Sequence, residues 1–165
     1  MKAKLLRSLL PLALVFTMVS CSSDATEDPK TDNQLVQDYD YNAEELKLAD
    51  LINAYRESKG LNSLEKINHI SYKSEEHNEY MIENNVVNHD YFRERAENIK
   101  HVLGAVKVNE NVAYNYITPE AALTAWINSE GHRANLEGDF TNFGISITSD
   151  PETGKKYYTN IFIKK

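Results

Sequence analysis

Three ionisable side chains stand at the boundaries of expected elements rather than within them. They are His89 in Asn88-His89-Asp90, Glu110 in Asn109-Glu110-Asn111, and His132 in Ser129-Glu130-Gly131-His132-Arg133. Two imidazoles and a carboxylate can hold a divalent cation, zinc or another, and leave one position open for water. A cation so held lowers the pKa of that water, and the carboxylate can then serve as a general base, with Glu110 the candidate. The same three groups can equally form a hydrogen-bonded cluster without metal. No local spacing joins them, so a shared site depends on the fold.

The elements that must position these groups are legible in part. Thr118-Pro119-Glu120 opens a helix, with Thr118 as cap and Pro119 in the first turn. Ala122, Leu123, Trp126 and Ile127 form its buried face. Gly131 is expected to take the left-handed conformation that ends a helix, with His132 just past the stop. Upstream, Asn84-Asn85 breaks a helix expected over Ile70 to Asn84. Its apolar stripe carries His77, read as a hydrogen-bonded core residue rather than a ligand. Phe92, Arg95, Ala96 and Ile99 suggest a short helix after His89. Gly104 opens an extended segment through Val106, Val108, Val112 and Tyr114, which carries Glu110.

Around these lies one domain. Asn42-Ala43-Glu44-Glu45 reads as a capping box, followed by Leu48, Leu51, Ile52 and Tyr55 at helical spacing, with Gly60 as terminator. Phe143, Ile145 and Ile147 alternate as a half-buried strand should. Asp150 to Gly154 is a turn, and Tyr157 to Ile163 returns as the second strand of a hairpin. Three or four helices followed by about three antiparallel strands predict an α+β layered fold over residues 42–165.

The first forty residues are of another kind. Lys2, Lys4 and Arg7 precede an apolar run from Leu9 to Val19, then Ser20 and Cys21. This is the pattern of an export signal over residues 1–20, and the run is shorter than the ~20 residues of a membrane-spanning helix. Cys21 is the only cysteine. Met18-Val19-Ser20-Cys21 resembles a bacterial lipobox, with Met18 in place of the usual leucine; the alternative is an ordinary secretory signal. The lipobox reading makes Cys21 the lipidated first residue of a protein anchored to the cell envelope, with the leaflet undetermined. Residues 21–41 are acidic, polar and poor in apolar side chains, and read as a disordered tether. Loss of the leader's three basic residues takes the formal charge from −7 to −10. That charge argues against nucleic acid as a partner.

Several stretches occur in an order and at separations that resemble the CAP superfamily, the cysteine-rich secretory, antigen 5 and pathogenesis-related proteins with SCP-like domains. They are Asn88-His89-Asp90, Glu110-Asn111-Val112-Ala113, Ala125-Trp126 with Asn128-Ser129, Gly131-His132-Arg133-Ala134-Asn135, Phe140-Thr141 with Gly144, and Tyr157 to Phe162. The bacterial extracellular branch is the nearest in pattern. The resemblance covers roughly Ala43 to Lys165. It implies an α-β-α sandwich with a central antiparallel sheet, and a cleft lined by two His and two Glu. His89 and His132 match the two histidines, and Glu110 matches the Glu of a Gly-Glu-Asn motif whose Gly is Asn109 here. The second glutamate has no counterpart; Glu130 is near in sequence but not at the matching position. Asn111 and Asn135 are expected to fix loops, Arg133 to bond local carbonyls or a carboxylate, and Arg95 to be structural.

Three functions follow as alternatives. The first is an exported, non-catalytic module whose cleft binds a divalent cation and a small lipid or peptide ligand. The second is a metal-dependent, peptidase-like hydrolase using the same cleft. The third is an envelope interaction module whose ten tyrosines supply a contact face.

Overall fold

A computed structural model describes residues 33–165. The leader, Cys21 and the first part of the expected tether lie outside the described residues. The elements run α1 (Ala43–Ser58), β1 (Glu65–Lys66), α2 (Asn68–Glu83), α3 (Phe92–Leu103), β2 (Lys107–Tyr114), α4 (Pro119–Asn128), α5 (Glu130–Leu136), β3 (Asn142–Ser149) and β4 (Lys156–Lys164).

The sheet has four strands in the order β1-β3-β4-β2, one more than expected. β2, β3 and β4 are antiparallel, and the additional strand, β1, pairs parallel to β3 through only Glu65 and Lys66. Two residues are too few to leave a period in the sequence. Helices α2 and α3 cover one face of the sheet, and α1, α4 and α5 lie on the other. This is the expected α-β-α sandwich. Leu48, Ile52, Trp126, Leu136, Phe143, Ile145 and Phe162 fill the larger core on the α1/α4/α5 side. Ile70, Ile99, Ile161 and Ile163 fill a smaller one under α2 and α3.

β3, expected to be half-buried from its alternation, is buried on both faces along most of its length, and so is β4. The small residues of β3 face a helix instead of water. At Gly144 an added Cβ would stand 2.3 Å from the Ser71 nitrogen. That position is therefore glycine because α2 lies directly on the strand. Where β1 ends, side chains satisfy the outer edge of β3. Ile145 N–H donates to Ser71 Oγ at 2.9 Å, and Ile147 N–H donates to Glu45 Oε1 at 2.9 Å. Glu45 is thus buried where it covers a strand edge. It also closes the expected capping box, accepting from Asn42 N–H at 2.9 Å.

Two local expectations hold: Thr118 caps α4 through the Ala121 N–H, and Gly60 follows α1 at φ +74°. Gly104, expected to open the extended segment, is the C-cap of α3 at φ +70°. One does not hold. Gly131 is the second residue of α5, not a helix stop, and is absent from the residues of positive φ. The chain breaks two residues earlier, at Ser129, which is extended at φ −95°, ψ 122°. His132 therefore belongs to the first turn of a separate short helix.

Residues 33–41, expected to be part of the tether, lie against the domain. Val36 N–H donates to His69 Nδ1 at 3.2 Å, and Asn68 Nδ2 donates to the Gln37 carbonyl at 2.6 Å. Tyr39 donates to Glu45 Oε1 at 3.0 Å, and the Tyr41 hydroxyl meets Ser71 Oγ at 2.8 Å. Tyrosines and backbone, not an apolar period, make these contacts, so hydropathy did not reveal them.

Candidate functional site

β2 is the edge strand away from β1, and its alternation divides the site. Glu110 faces α2 and α3, whereas Asn109 and Asn111 face α5. Each side supports one of the two histidines.

On the first side, Glu110 is the centre. Its side chain is 1% exposed. Arg95, from α3, donates Nε to Oε2 at 3.0 Å and Nη2 to Oε1 and Oε2 at 2.9 and 2.8 Å. His89 Nδ1 meets Oε1 at 2.8 Å. Burial pushes the Glu110 carboxyl up, but the His89 hydrogen bond and the charge of Arg95 outweigh it and hold the group below its ordinary value. Both carboxylate oxygens are occupied. Arg95 Nη1 also donates to the Asp90 carbonyl at 2.7 Å, tying the loop that carries His89 to the same guanidinium. Arg95, expected to be structural, is the cation that allows Glu110 to be buried and ionised.

His77 is a core residue, as expected, but it also abuts this cluster. Its Nε2 donates to the Asn88 carbonyl at 2.9 Å and stands 3.9 Å from Glu110 Oε1. Burial holds its pKa below the ordinary value, with Arg95 adding to the effect. His77 is therefore neutral, and it fixes the residue before His89.

The second side contains no buried charge. His132 Nδ1 meets Ser129 Oγ at 2.8 Å. Asn111 Nδ2 donates to the His132 carbonyl at 3.0 Å. Asn135 Nδ2 donates to Asn111 Oδ1 at 2.8 Å and to the Glu110 carbonyl at 3.1 Å, and Asn109 donates to Asn135 Oδ1 at 2.8 Å. Asn111 and Asn135 thus hold α5 to β2. Arg133 donates to the Ile127 carbonyl at 2.7 Å. Trp126 donates Nε1 to the Val112 carbonyl at 3.0 Å. Burial holds His132 below its ordinary pKa, and His89 adds to this. Ser129 was quoted only as part of the resemblance and given no role; its i, i+3 relation to His132 was the available signal.

Both imidazoles use Nδ1 internally, and neither Nε2 has a hydrogen-bond partner among the described residues. His89 is half exposed, at 52% of its side chain. It lines a depression of about 250 Å³ with Phe92, Val108, Glu110 and Asn135. His132 lines another of about 250 Å³ with Val112, Tyr114, Trp126 and Ser129. The two lie along the same edge strand. A larger hollow of about 420 Å³, at the β3–β4 turn beside Glu83 and Asp150, contains neither histidine. Chemistry rather than volume therefore selects the site. Among the described residues, no three His, Cys, Asp or Glu side chains are grouped to hold a metal ion. The expected ligand set of His89, Glu110 and His132 is not assembled, because Glu110 faces Arg95 and serves His89. Glu130 is exposed and supplies no second carboxylate to the cluster.

A three-layer α-β-α domain with two outward-turned imidazoles along its edge strand is the class this geometry defines. The chain belongs to the CAP, or cysteine-rich secretory protein, family, whose match spans residues 49–162. It is 37% identical over 127 residues to the uncharacterized membrane protein YlbC of Bacillus subtilis, covering 73% of this chain and 34% of that protein. It is 32% identical over 127 residues to the uncharacterized protein YkwD of the same organism, covering 74% and 48%. The chain thus spans a third to a half of the length of these relatives. Among solved structures, it is similar to an extracellular SCP-domain protein of Bacillus anthracis, at 30% identity and a TM-score of 0.67, covering 75% of this chain and 41% of that one. An outer surface protein of Borrelia burgdorferi shares the fold, at 20% identity and a TM-score of 0.67, covering 79% of this chain and 99% of that one. Among the described residues, no helix is long and apolar enough to cross a membrane.

Proposed function

We propose that this is an exported, envelope-anchored CAP module that binds a divalent cation through Nε2 of His89 and Nε2 of His132, without catalysing a reaction. The observation that carries this reading is that each ring has its Nδ1 engaged, by Glu110 and by Ser129. An acceptor on the second ring nitrogen is the usual outer partner of a metal-binding imidazole, since it fixes the ring and raises its basicity, and both the Glu110 carboxylate and the Ser129 hydroxyl oxygen can accept from Nδ1–H. A depressed His132 pKa keeps that ring in the neutral form a cation requires. Zinc suits imidazole donors, and the cation would supply open coordination positions for a small lipid or peptide ligand. Anchoring is through lipidated Cys21, in keeping with relatives described as extracellular, outer-surface or membrane proteins.

The hydrolase alternative needs Glu110 as a general base. A base must reach the proton it takes, and both Glu110 oxygens already accept from Arg95 or His89. The non-catalytic reading is preferred for that reason. Titration calorimetry with zinc tests it. One equivalent should bind to the wild-type chain and none to His89→Ala/His132→Ala, with both proteins melting cooperatively. Equal binding by the double variant ends the proposal.

A further inference from the structure

Asn160, on β4, is fully buried, and neither its Oδ1 nor its Nδ2 has a hydrogen-bond partner among the described residues. An amide so placed gives up its bonds to bulk water. Leaving them unmade costs more than a made bond returns, so buried polar groups as a rule find a partner inside.

The strand register limits where that partner can be. Asn160 stands opposite Asn111 of β2 on one side and Ile145 of β3 on the other. Its side chain shares their face of the sheet, toward α4 and α5. Thr159 points the other way, to Asn78 of α2, and so does Ile161. Tyr158 and Phe162 flank Asn160 along β4 in the larger core. The Tyr158 hydroxyl donates to the Tyr116 carbonyl, and Ile145 and Phe162 are apolar. Of these neighbours, Asn111 alone has polar capacity to spare. One of its Nδ2 hydrogens goes to the His132 carbonyl, and its Oδ1 accepts once, from Asn135. One hydrogen and one lone pair remain.

The two amides stand at a distance that suits a bridge. Asn115 N–H pairs with the Lys156 carbonyl, so by alternation Asn111 and Asn160 are a hydrogen-bonded pair of the ladder, with Cα atoms about 5.5 Å apart. Side chains that stand parallel on the sheet keep roughly that spacing. It is too long for one hydrogen bond and matches two bonds of about 2.8 Å in series through a single oxygen. A water beside a primary amide can accept from the N–H and donate to the oxygen of the same group. That satisfies both atoms of Asn160 and leaves a third bond for Asn111, the number a buried water typically makes.

We propose that one buried water is bound between Asn160 and Asn111 and joins β4 to the amides that hold α5. Asn111 carries the His132 carbonyl, so His132 is held from the interior of the sheet and not from its edge strand alone. The water binds whether or not His89 and His132 hold a cation.

The test is magnetisation transfer from water to the side-chain amides of the full chain labelled with ¹⁵N, recorded in the laboratory frame and in the rotating frame. Opposite signs in the two mark a bound water and separate it from proton exchange. The Nδ2 protons of both Asn160 and Asn111 should show such transfer. Asn160→Leu, close in volume and apolar, should abolish the transfer at Asn111, move the Asn111 side-chain signals and lower the folding constant about tenfold. Absence of transfer at both amides in the wild-type chain would overturn the proposal, and so would transfer confined to Asn160. An Asn160→Leu chain at least as stable as the wild type, with the Asn111 signals unmoved, would also overturn it, since that is how an amide buried without a partner behaves. Should Asn160→Leu fail to fold, the wild-type spectra decide alone. No metal is added, so the outcome is separate from that of the zinc titration.

Discussion

The two halves of the site turn the same atom outward by different electrostatic means. On the α2/α3 side, His89 is oriented by a carboxylate that is itself buried against a guanidinium. On the α5 side, His132 is oriented by a hydroxyl, and its backbone by asparagine amides. The difference lies in what each half requires of its surroundings. A buried carboxylate without its cation is severely destabilising, whereas an amide network loses one bond at a time. The His89 half is therefore stiff and intolerant of change, and the His132 half is adjustable.

The largest effect should come from separating the ion pair. Arg95→Met leaves Glu110 buried and unpaired and should cost about 3–5 kcal/mol in denaturant unfolding. Arg95→Met with Glu110→Leu removes both charges and should recover most of that loss, while His89 loses its orienting partner. A double variant no more stable than the single one would mean that the guanidinium supports the fold through packing, and the proposed contrast would fail. On the other side, Asn111→Ala removes bonds to the His132 carbonyl and to Asn135 and should cost about 1–3 kcal/mol. A loss as large as that of Arg95→Met would erase the difference between the halves.

Acid should act on the His89 half in two steps, through His77 and then through Glu110. His77 is held neutral in the fold, so the unfolded chain takes up its proton first as pH falls below the ordinary value of 6.5. Stability then declines from that pH down to the depressed folded value. Glu110 contributes stability that is complete above its ordinary value of 4.5 and is lost as pH falls through its lower folded pKa. Urea midpoints measured from pH 8 to pH 3 should fall in two stages. Glu110→Gln should flatten the lower stage alone. An unchanged lower stage in that variant would show that other carboxylates carry it.

How much of this could be read from the sequence depends on the scale of the signal. Elements with a period or a cap were legible: the Asn42 capping box, the Thr118-Pro119 start and the β3–β4 hairpin all appear where expected. The candidate residues His89, Glu110 and His132 could be named together only through family resemblance, since no local spacing joins them. Three features were not. β1 is too short to show a pattern. The break at Ser129 rests on one extended residue and was displaced onto Gly131, whose composition suggested a stop. The Arg95–Glu110 pairing joins α3 to β2, and a sequence shows charges without showing which of them face each other. That last omission mattered most, because it converts Glu110 from an expected ligand or base into the group that orients His89.

The smallest change probes the adjustable half most directly. Ser129 stands at the N-terminal boundary of α5 yet makes no capping bond with its side chain; its hydroxyl goes to His132 Nδ1 instead. Ser129→Ala therefore removes one neutral hydrogen bond at a half-buried position and should cost about 0.5–1.5 kcal/mol. The consequence for the ring should exceed the consequence for the fold. Without Ser129, no other described residue holds Nδ1, and the proton can move between the two ring nitrogens. Nitrogen-15 spectra of the imidazole should then change from a single tautomer to an averaged one for His132 and stay unchanged for His89. Zinc affinity should fall several-fold, because part of the population presents a protonated Nε2. If His132 keeps one tautomer in Ser129→Ala, the amides behind its backbone are sufficient to set the ring, and the two halves differ less than their partners suggest.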